Sequence, residues 1–233
     1  MITAIVPARS GSKRFPGKNI KKLAGRPLIF HTIDSVLNHQ AITKIIFTSD
    51  SEEYIDLAKT EYGNKIDYEH RPSEYAGDNI KVYDELKRLI NKGIVETDWY
   101  MLCLPTCPLR NQKIVADFLN KWNQNHKPIF SAAAYDFPTQ FAFTISKDNS
   151  KWTPIANDSP LLLGNTRSQD IEKTYRPNGA MCLQHIDNIK NSSLYVNTDV
   201  YIMNREDSID VDTELDFLIC ENVLKAKEKL NDR

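Results

Sequence analysis

Trp99-Tyr100-Met101-Leu102-Cys103-Leu104 is a nearly continuous apolar run that stops at Pro105. A half-buried strand alternates apolar with polar residues, whereas a run like this one suits a central strand covered on both faces. The same reading recurs outward from it. Upstream, the β-branched run from Ile2 to Val6 ends at Pro7, and Ile45-Ile46-Phe47 ends at Thr48-Ser49-Asp50. Between them Leu28, Ile29, Ile33, Val36 and Leu37 recur at helical spacing behind Pro27, which a first helical turn accepts. The pattern then predicts a helix over 53–62, a turn at Gly63-Asn64, a strand over 65–69 and a helix over 80–91. Downstream it predicts a helix over 112–123 and a strand over 129–134. Strand followed by helix, repeated, argues for an α/β fold on a parallel sheet.

The rhythm breaks over 137–176, where Phe137, Phe141, Phe143 and Trp152 are separated by polar residues and prolines interrupt. This stretch reads as a β-rich insertion. Its aromatics mark a partner surface, or else a lid or hairpin packed on the parent domain, and the first reading is favoured. The α/β pattern resumes with strands over 180–183 and 200–203 and a helix over 213–229. The division is therefore a main domain of 1–136 and 177–233 with an inserted arm of 137–176.

The chain has 233 residues, 41% of them hydrophobic. That length buries roughly 70% of the surface an unfolded chain exposes, so a core needs neither disulfides nor a structural metal. Thirty basic against 31 acidic side chains give a net charge of -1, which offers no global field for nucleic acid. Any substrate charge must be met locally. With no run of about 20 apolar residues and no signal-peptide pattern, a cytoplasmic protein without membrane or nucleic-acid partners is expected. Cys103, Cys107, Cys182 and Cys220 show neither C-x-x-C nor zinc spacing and read as reduced core thiols. His31, His39, His70, His126 and His185 have no metalloprotease spacing, and no G-x-S-x-G elbow exists, so hydrolase triads lose support.

The loop Arg9-Ser10-Gly11-Ser12-Lys13-Arg14-Phe15-Pro16-Gly17-Lys18-Asn19 gathers four cations, two glycines and two hydroxyls directly after a strand. Arg supplies forked donors, Lys a point charge, and glycine lets backbone N–H groups approach an anion. A P-loop is excluded, since five residues separate Gly11 from Gly17 and Asn19 follows Lys18. A dinucleotide fingerprint also fails, because Gly11 stands alone. A solvated basic loop is the plain alternative, and the position at the carboxyl end of the first strand favours phosphate.

In Ser208-Ile209-Asp210-Val211-Asp212-Thr213-Glu214-Leu215-Asp216, residues two apart share a side of an extended chain. Asp210 and Asp212 would then aim two carboxylates at one point, a set that suits magnesium completed by phosphates and water. Equally, Thr213 with Asp216 resembles a capping box opening the last helix. The loop Leu104-Pro105-Thr106-Cys107-Pro108-Leu109-Arg110 either walls a nucleotide or sugar pocket or merely ends its strand. Arg71-Pro72 and Asp78-Asn79 are open in the same way. A phosphate-bearing ligand, a divalent cation and no protein nucleophile together fit direct displacement at phosphorus.

These residues resemble the cytidylyltransferases that activate nine-carbon acidic sugars, the acylneuraminate cytidylyltransferase family. The resemblance covers nearly the whole chain. It rests on the Arg9 to Asn19 loop, Arg71-Pro72, the Pro105 to Arg110 loop, Arg176-Pro177-Asn178-Gly179 and Ser208-Ile209-Asp210-Val211-Asp212. The related Kdo cytidylyltransferases share the opening but usually carry Gln-Gly-Asp-Glu-Pro where this chain has Leu104 to Pro108. The resemblance implies a Rossmann-like three-layer nucleotidyltransferase with a mostly parallel sheet and a protruding dimerisation arm, hence a homodimer. It also implies that CMP passes from CTP to the anomeric hydroxyl of a nonulosonic acid, N-acetylneuraminate or a relative such as legionaminate, with Mg²⁺.

Carried over by motif position, Ala8, Arg9, Gly11, Ser12, Lys13, Lys18 and Asn19 would hold the CTP phosphates, ribose or base. Arg71 and Asp78 would help bind the cytidine, and Asp210 and Asp212 the magnesium. Leu104, Gln140, Arg167 and Asn178 would face the sugar, and Lys18, Arg9, Asp212 and Arg167 would carry the catalysis. Leu104 stands where the family often has Gln, Gln140 where some sialic-acid enzymes have Lys, and Arg167 one residue early in Arg167-Ser168-Gln169-Asp170. A transferase for another sugar acid such as Kdo, or a non-catalytic nucleotide-binding protein, are the alternatives.

Overall fold

The first strand, β1 (Ile2–Pro7), is buried along its whole length, and its side chains divide between two cores. Ile2, Ala4 and Val6 enter one, Ile5 the other. That is the period-two alternation of a strand with cover on both faces. In this computed structural model, residues 1–164, 167–190 and 195–231 are described. After β1 come a two-stranded ribbon, β2 (Lys22–Leu23) and β3 (Arg26–Pro27), then α1 (Leu28–Val36), β4 (Ile42–Ser49), α2 (Glu52–Tyr62) and β5 (Asp67–His70). Next are α3 (Val82–Asn91), β6 (Trp99–Leu102), α4 (Gln112–Asn123) and β7 (Ile129–Ala134). The strands β8 (Phe143–Ile145) and β9 (Trp152–Pro154), α5 (Pro160–Leu163), β10 (Tyr175–His185), β11 (Asp199–Ile202) and α6 (Glu214–Asn231) complete the chain.

The chain clusters into two units, Met1–Ala132 with Asn178–Arg233, and Ala133–Pro177. In the main sheet the strand order is β11-β7-β10-β6-β1-β4-β5. β1 lies parallel to β4 and β6, β4 to β5, and β7 to β11. β10 runs antiparallel to β6, setting Cys182 opposite Leu102 and Leu183 opposite Met101. The sheet is mostly parallel, and the reversal of β10 against β6 is one that hydropathy could not reveal, since 180–183 reads as apolar in either direction.

Helices cover both faces. Ile29, Ile33 and Val36 of α1, Ile55 of α2 and Val115, Phe118 and Leu119 of α4 join the first core. Leu86 and Leu89 of α3 meet Ile46, Tyr100 and Leu102 in the second. A third cluster joins Phe217 and Cys220 of α6 to Phe15, Leu23, Leu28, Leu109 and Val211, so the last helix packs against the loop that follows β1. Caps follow the expected chemistry: the Ser51 hydroxyl accepts from the Tyr54 N–H and the Asn111 side chain from the Ile114 N–H. Among the described residues no helix is long and apolar enough to cross a membrane.

The unit Ala133–Pro177 contains the antiparallel pair β8 and β9, the single turn α5 and short 3₁₀ turns. The expectation of a β-rich insertion is corrected here. Among the described residues between β7 and β10 only two three-residue strands form, because Asp148 and Ser150 spend their polar groups on a turn and prolines interrupt the rest. Phe143, Ile145 and Trp152 remain exposed, with Phe143 and Trp152 edge to face at 5.7 Å. Asn165 and Thr166, within the arm read from sequence, lie outside the described residues.

Candidate nucleotide site

The loop after β1 is fixed before any ligand enters. The Ala8 N–H donates to the Thr48 carbonyl at 2.9 Å, carrying the strand pairing one residue past β1. At the next turn Asp50, just beyond β4, accepts from both the Ser10 N–H (2.8 Å) and the Ser10 hydroxyl (2.7 Å). The Asn19 amide closes the loop by donating to the Arg9 carbonyl at 2.8 Å. Gly17 sits at φ 67°, a left-handed conformation that L side chains resist, and its turn delivers Lys18 into the protein. Phe15 anchors the same loop by packing edge-on against Phe217, ring centres 5.6 Å apart.

Four loop cations meet two carboxylates. Asp78 pairs with Arg9 at 3.0 Å and Lys13 at 2.6 Å; Asp212 pairs with Arg14 at 2.8 Å and Lys18 at 3.3 Å. Lys13 is solvated, while Lys18 is only 8% exposed and also donates to the Val211 carbonyl at 2.6 Å. The hydrogen bond from Lys13, reinforced by Arg9, holds the Asp78 carboxyl below the ordinary range. Arg9, Ser12, Lys13, Arg14, Lys18 and Asn19 line a cleft of about 250 Å³, with Leu104, Pro105, Thr106 and Asp212 opposite. Such a surface offers charge and backbone donors to a polyanion.

The far wall is braced from beneath. The Val211 N–H donates to the Thr106 carbonyl at 2.7 Å, tying the carboxylate segment to the loop after β6. Asn178 is buried, and its amide accepts from Ser131 (2.6 Å) and the Ala180 N–H (3.1 Å) while donating to Ser208 (3.0 Å) and the Met203 sulfur (3.1 Å). The Asn178 carbonyl also receives the Cys107 thiol at 3.1 Å. Gly179 stands at φ 74°, where an added Cβ would lie 3.1 Å from Leu104 Cδ1. Arg110, almost fully buried, donates to Ser35 at 3.1 Å and to the Ala180 carbonyl.

The two acidic candidates diverge in surroundings. Asp212 opens into the cleft. Asp210 stands near the thiols of Cys107 and Cys220, which burial first, and this carboxylate with it, push up to about 12. The capping-box reading of the same stretch is realised: the Thr213 N–H donates to Asp216 at 2.8 Å and the Asp216 N–H returns to the Thr213 hydroxyl at 3.3 Å, opening α6. Asp212 in the cleft, with Asp210 two residues earlier in the chain, is a donor set that suits a magnesium ion, which commonly takes one or two protein carboxylates and fills its octahedron with phosphates and water. Among the described residues no group of three or more His, Cys, Asp or Glu forms a metal site.

The sequence candidates therefore separate. Ala8, Arg9, Gly11, Ser12, Lys13, Lys18 and Asn19 belong to the loop, and Leu104 and Asp212 share its cleft. Arg71 follows β5 and is 4% exposed. Gln140 and Arg167 lie in the second unit, where Gln140 donates to the Glu172 carbonyl at 3.5 Å and Arg167 pairs with Asp170 at 3.2 Å. Two residues escaped the sequence reading. Asp50 was visible as an acid at the carboxyl end of a strand, beside the loop it holds. Glu85 was visible as an acid on the Val82, Leu86 and Leu89 face of its helix; it is 0% exposed.

A mostly parallel sheet with helices on both faces and a braced cationic cleft at its carboxyl edge defines an α/β nucleotidyltransferase. The family model described as "Cytidylyltransferase" matches residues 3–209, and the chain belongs to that family. It is 33% identical to the pseudaminic acid cytidylyltransferase of Campylobacter jejuni over 76% of this chain and 75% of that one. It is 29% identical to the N-acylneuraminate cytidylyltransferase of Escherichia coli over 98% of this chain, which spans 53% of that relative. Identity to the CMP-N,N'-diacetyllegionaminic acid synthase of Legionella pneumophila is 27% over 98% of both chains. Among solved structures, a CMP-2-keto-3-deoxy-manno-octonic acid synthetase complexed with CTP superposes with a TM-score of 0.70 at 16% identity, covering 97% of this chain and 99% of that one. At that identity the match speaks for the fold alone.

Proposed function

We propose that the protein transfers CMP from CTP to the anomeric hydroxyl of a nonulosonic acid, a sialic acid or a relative such as legionaminic or pseudaminic acid. One observation carries the reading: the buried Lys18 ammonium and the loop cations share a cleft with Asp212 in a chain of this family. The sugar oxygen attacks the α-phosphorus in line, the bond to the bridging oxygen of the β-phosphate breaks, and pyrophosphate leaves. No protein nucleophile is needed, so catalysis is positioning plus neutralisation of phosphate charge. Arg9, Lys13 and Arg14 exchange their carboxylate partners for phosphate oxygens. Lys18, held by the Val211 carbonyl, keeps its ammonium at a fixed point beside the reacting phosphate. Ser12 and the Gly11 backbone add donors, and Leu104 forms a wall.

Asp210 and Asp212 would hold magnesium, which when bound supplies positive charge for the transferring phosphate. Asn178 serves the sugar side indirectly, because its amide is committed to Ser131, Ser208 and Ala180. Gln140 and Arg167 are the arm's candidates for the sugar. Exposed Phe143, Ile145 and Trp152 support that unit as the surface by which two copies pair. Four buried free thiols and the use of CTP support a cytoplasmic setting.

The test is metal-dependent pyrophosphate release from CTP across N-acetylneuraminic, legionaminic and pseudaminic acids and Kdo, with a no-sugar control. Release confined to one nonulosonic acid is expected. Silence with all of them, from folded protein that binds CTP, would overturn the reading.

A further inference from the structure

Against β4, α3 buries a carboxylate that the reaction itself does not use. Glu85, fully buried, accepts from the Thr48 hydroxyl at 2.6 Å and from Arg88 Nε and Nη2 at 2.7 and 2.9 Å. Its Oε2 lies 4.0 Å from Arg71 Nε, too long for a hydrogen bond but close enough for charge pairing. Arg88 has a second acid, Glu69, at 2.8 Å, and so does not depend on Glu85 alone. Arg71 is placed differently. Glu85 is its one acid within ion-pair reach among the described residues, and its Nε, sealed from solvent, has no hydrogen-bond partner there. A buried guanidinium left so short of acceptors is costly unless something else completes it. Its backbone is pinned, the Arg71 N–H donating to the Ser49 carbonyl at 2.8 Å.

We propose that Glu85 is a positioning residue for the nucleotide: its buried carboxylate orients the Arg71 guanidinium, whose backbone is pinned one residue from the Asp50 clamp of the cationic loop. The proposal rests on the reading above that Arg71 contacts the cytidine. The same carboxylate fixes Thr48, whose carbonyl receives the Ala8 N–H, so one acid on α3 sets both Arg71 and the entry to the cationic loop. The Asp50 and Arg9 charges also act on Arg71, which places it beside the loop and its clamp.

The experiment is a comparison of Glu85→Gln, Arg71→Ala and the double variant, each checked for a cooperative thermal transition and native near-UV circular dichroism. Glu85→Gln keeps the volume and an acceptor for Thr48 while removing the charge that holds Arg71. We expect its KM for CTP to rise about tenfold, with kcat and the KM for the sugar acid within about threefold, and the double variant to match Arg71→Ala alone because the effects share one route. A folded Glu85→Gln with unchanged KM for CTP, or effects that multiply in the double variant, would overturn the positioning role while leaving Arg71 in place. An unchanged KM for CTP in Arg71→Ala would instead remove the Arg71 contact, and the Glu85 role with it. Should Glu85→Gln not fold, Glu85→Asp carries the same comparison, since the shorter acid withdraws from Arg71 with its charge intact.

Discussion

Lys18 and Asp212, 194 positions apart in the chain, meet at 3.3 Å, and the same ammonium donates to the carbonyl of the neighbouring Val211 at 2.6 Å. The first loop and the late carboxylate segment are therefore one structure. A lysine held this way loses little freedom when phosphate arrives, which is what a preorganised donor requires.

Replacing Lys18 with alanine should lower kcat by about 10²–10³-fold, or roughly 2–4 kcal/mol, the range of a lost transition-state donor. Pyrophosphate release at saturating CTP measures it, with circular dichroism as the check on folding. Unchanged turnover would remove Lys18 from the mechanism.

Asp212→Asn keeps the shape of the side chain and an acceptor for Lys18 while weakening a metal ligand. Turnover should fall by at least about 10²-fold and should not be restored by excess magnesium, and chelation should silence the parent enzyme reversibly. Near-normal activity of a folded variant, or activity in chelator, would sink the metal assignment.

Asp78 acts as a stand-in for phosphate in the structure, since it occupies Arg9 and Lys13. Asp78→Asn should tighten tripolyphosphate binding by about two- to fivefold, the scale of exposed ion pairs. Its lowered carboxyl pKa means that the pairing is intact above the ordinary carboxylate range and is lost only as pH falls through the lowered value. The effect should therefore be flat from about pH 6 to about pH 9. Isothermal titration reads both, and weaker binding in the variant would show that Asp78 itself contacts the ligand.

Burial raises all four cysteine thiols, and Cys107, Cys182 and Cys220 reach about 12. Native protein at pH 8 should react slowly with a thiol reagent and denatured protein should release four equivalents at once. An unfolded thiol ionises near pH 8.5 whereas these stay neutral, so their contribution to stability is complete below that pH and declines as pH rises toward the folded values. A fast stoichiometric reaction of the native enzyme would contradict the burial.

The order of strands and helices was legible because apolar periodicity reports burial directly, and α4 and β7 fall where the pattern puts them. The cationic loop was legible because its charges lie adjacent in sequence. What sequence withheld was pairing at a distance. Nothing in a local window joins Ser10 to Asp50, Glu85 to Arg71 or Asn178 to Ser208, because each contact depends on strand order and on which face a helix turns inward. The reversed direction of β10 was hidden for a related reason, since hydropathy carries no sign.

The Val211 segment has a consequence for how this enzyme tolerates change. Its amide bonds Thr106 and its carbonyl bonds Lys18, so both links run through main-chain atoms and the valine side chain only fills the cluster behind them. Scanning mutagenesis at position 211 would report packing and miss the anchorage altogether. Replacements there change the packing of a fully buried position but keep the carbonyl that seats the lysine, while proline alone would delete the main-chain donor to Thr106.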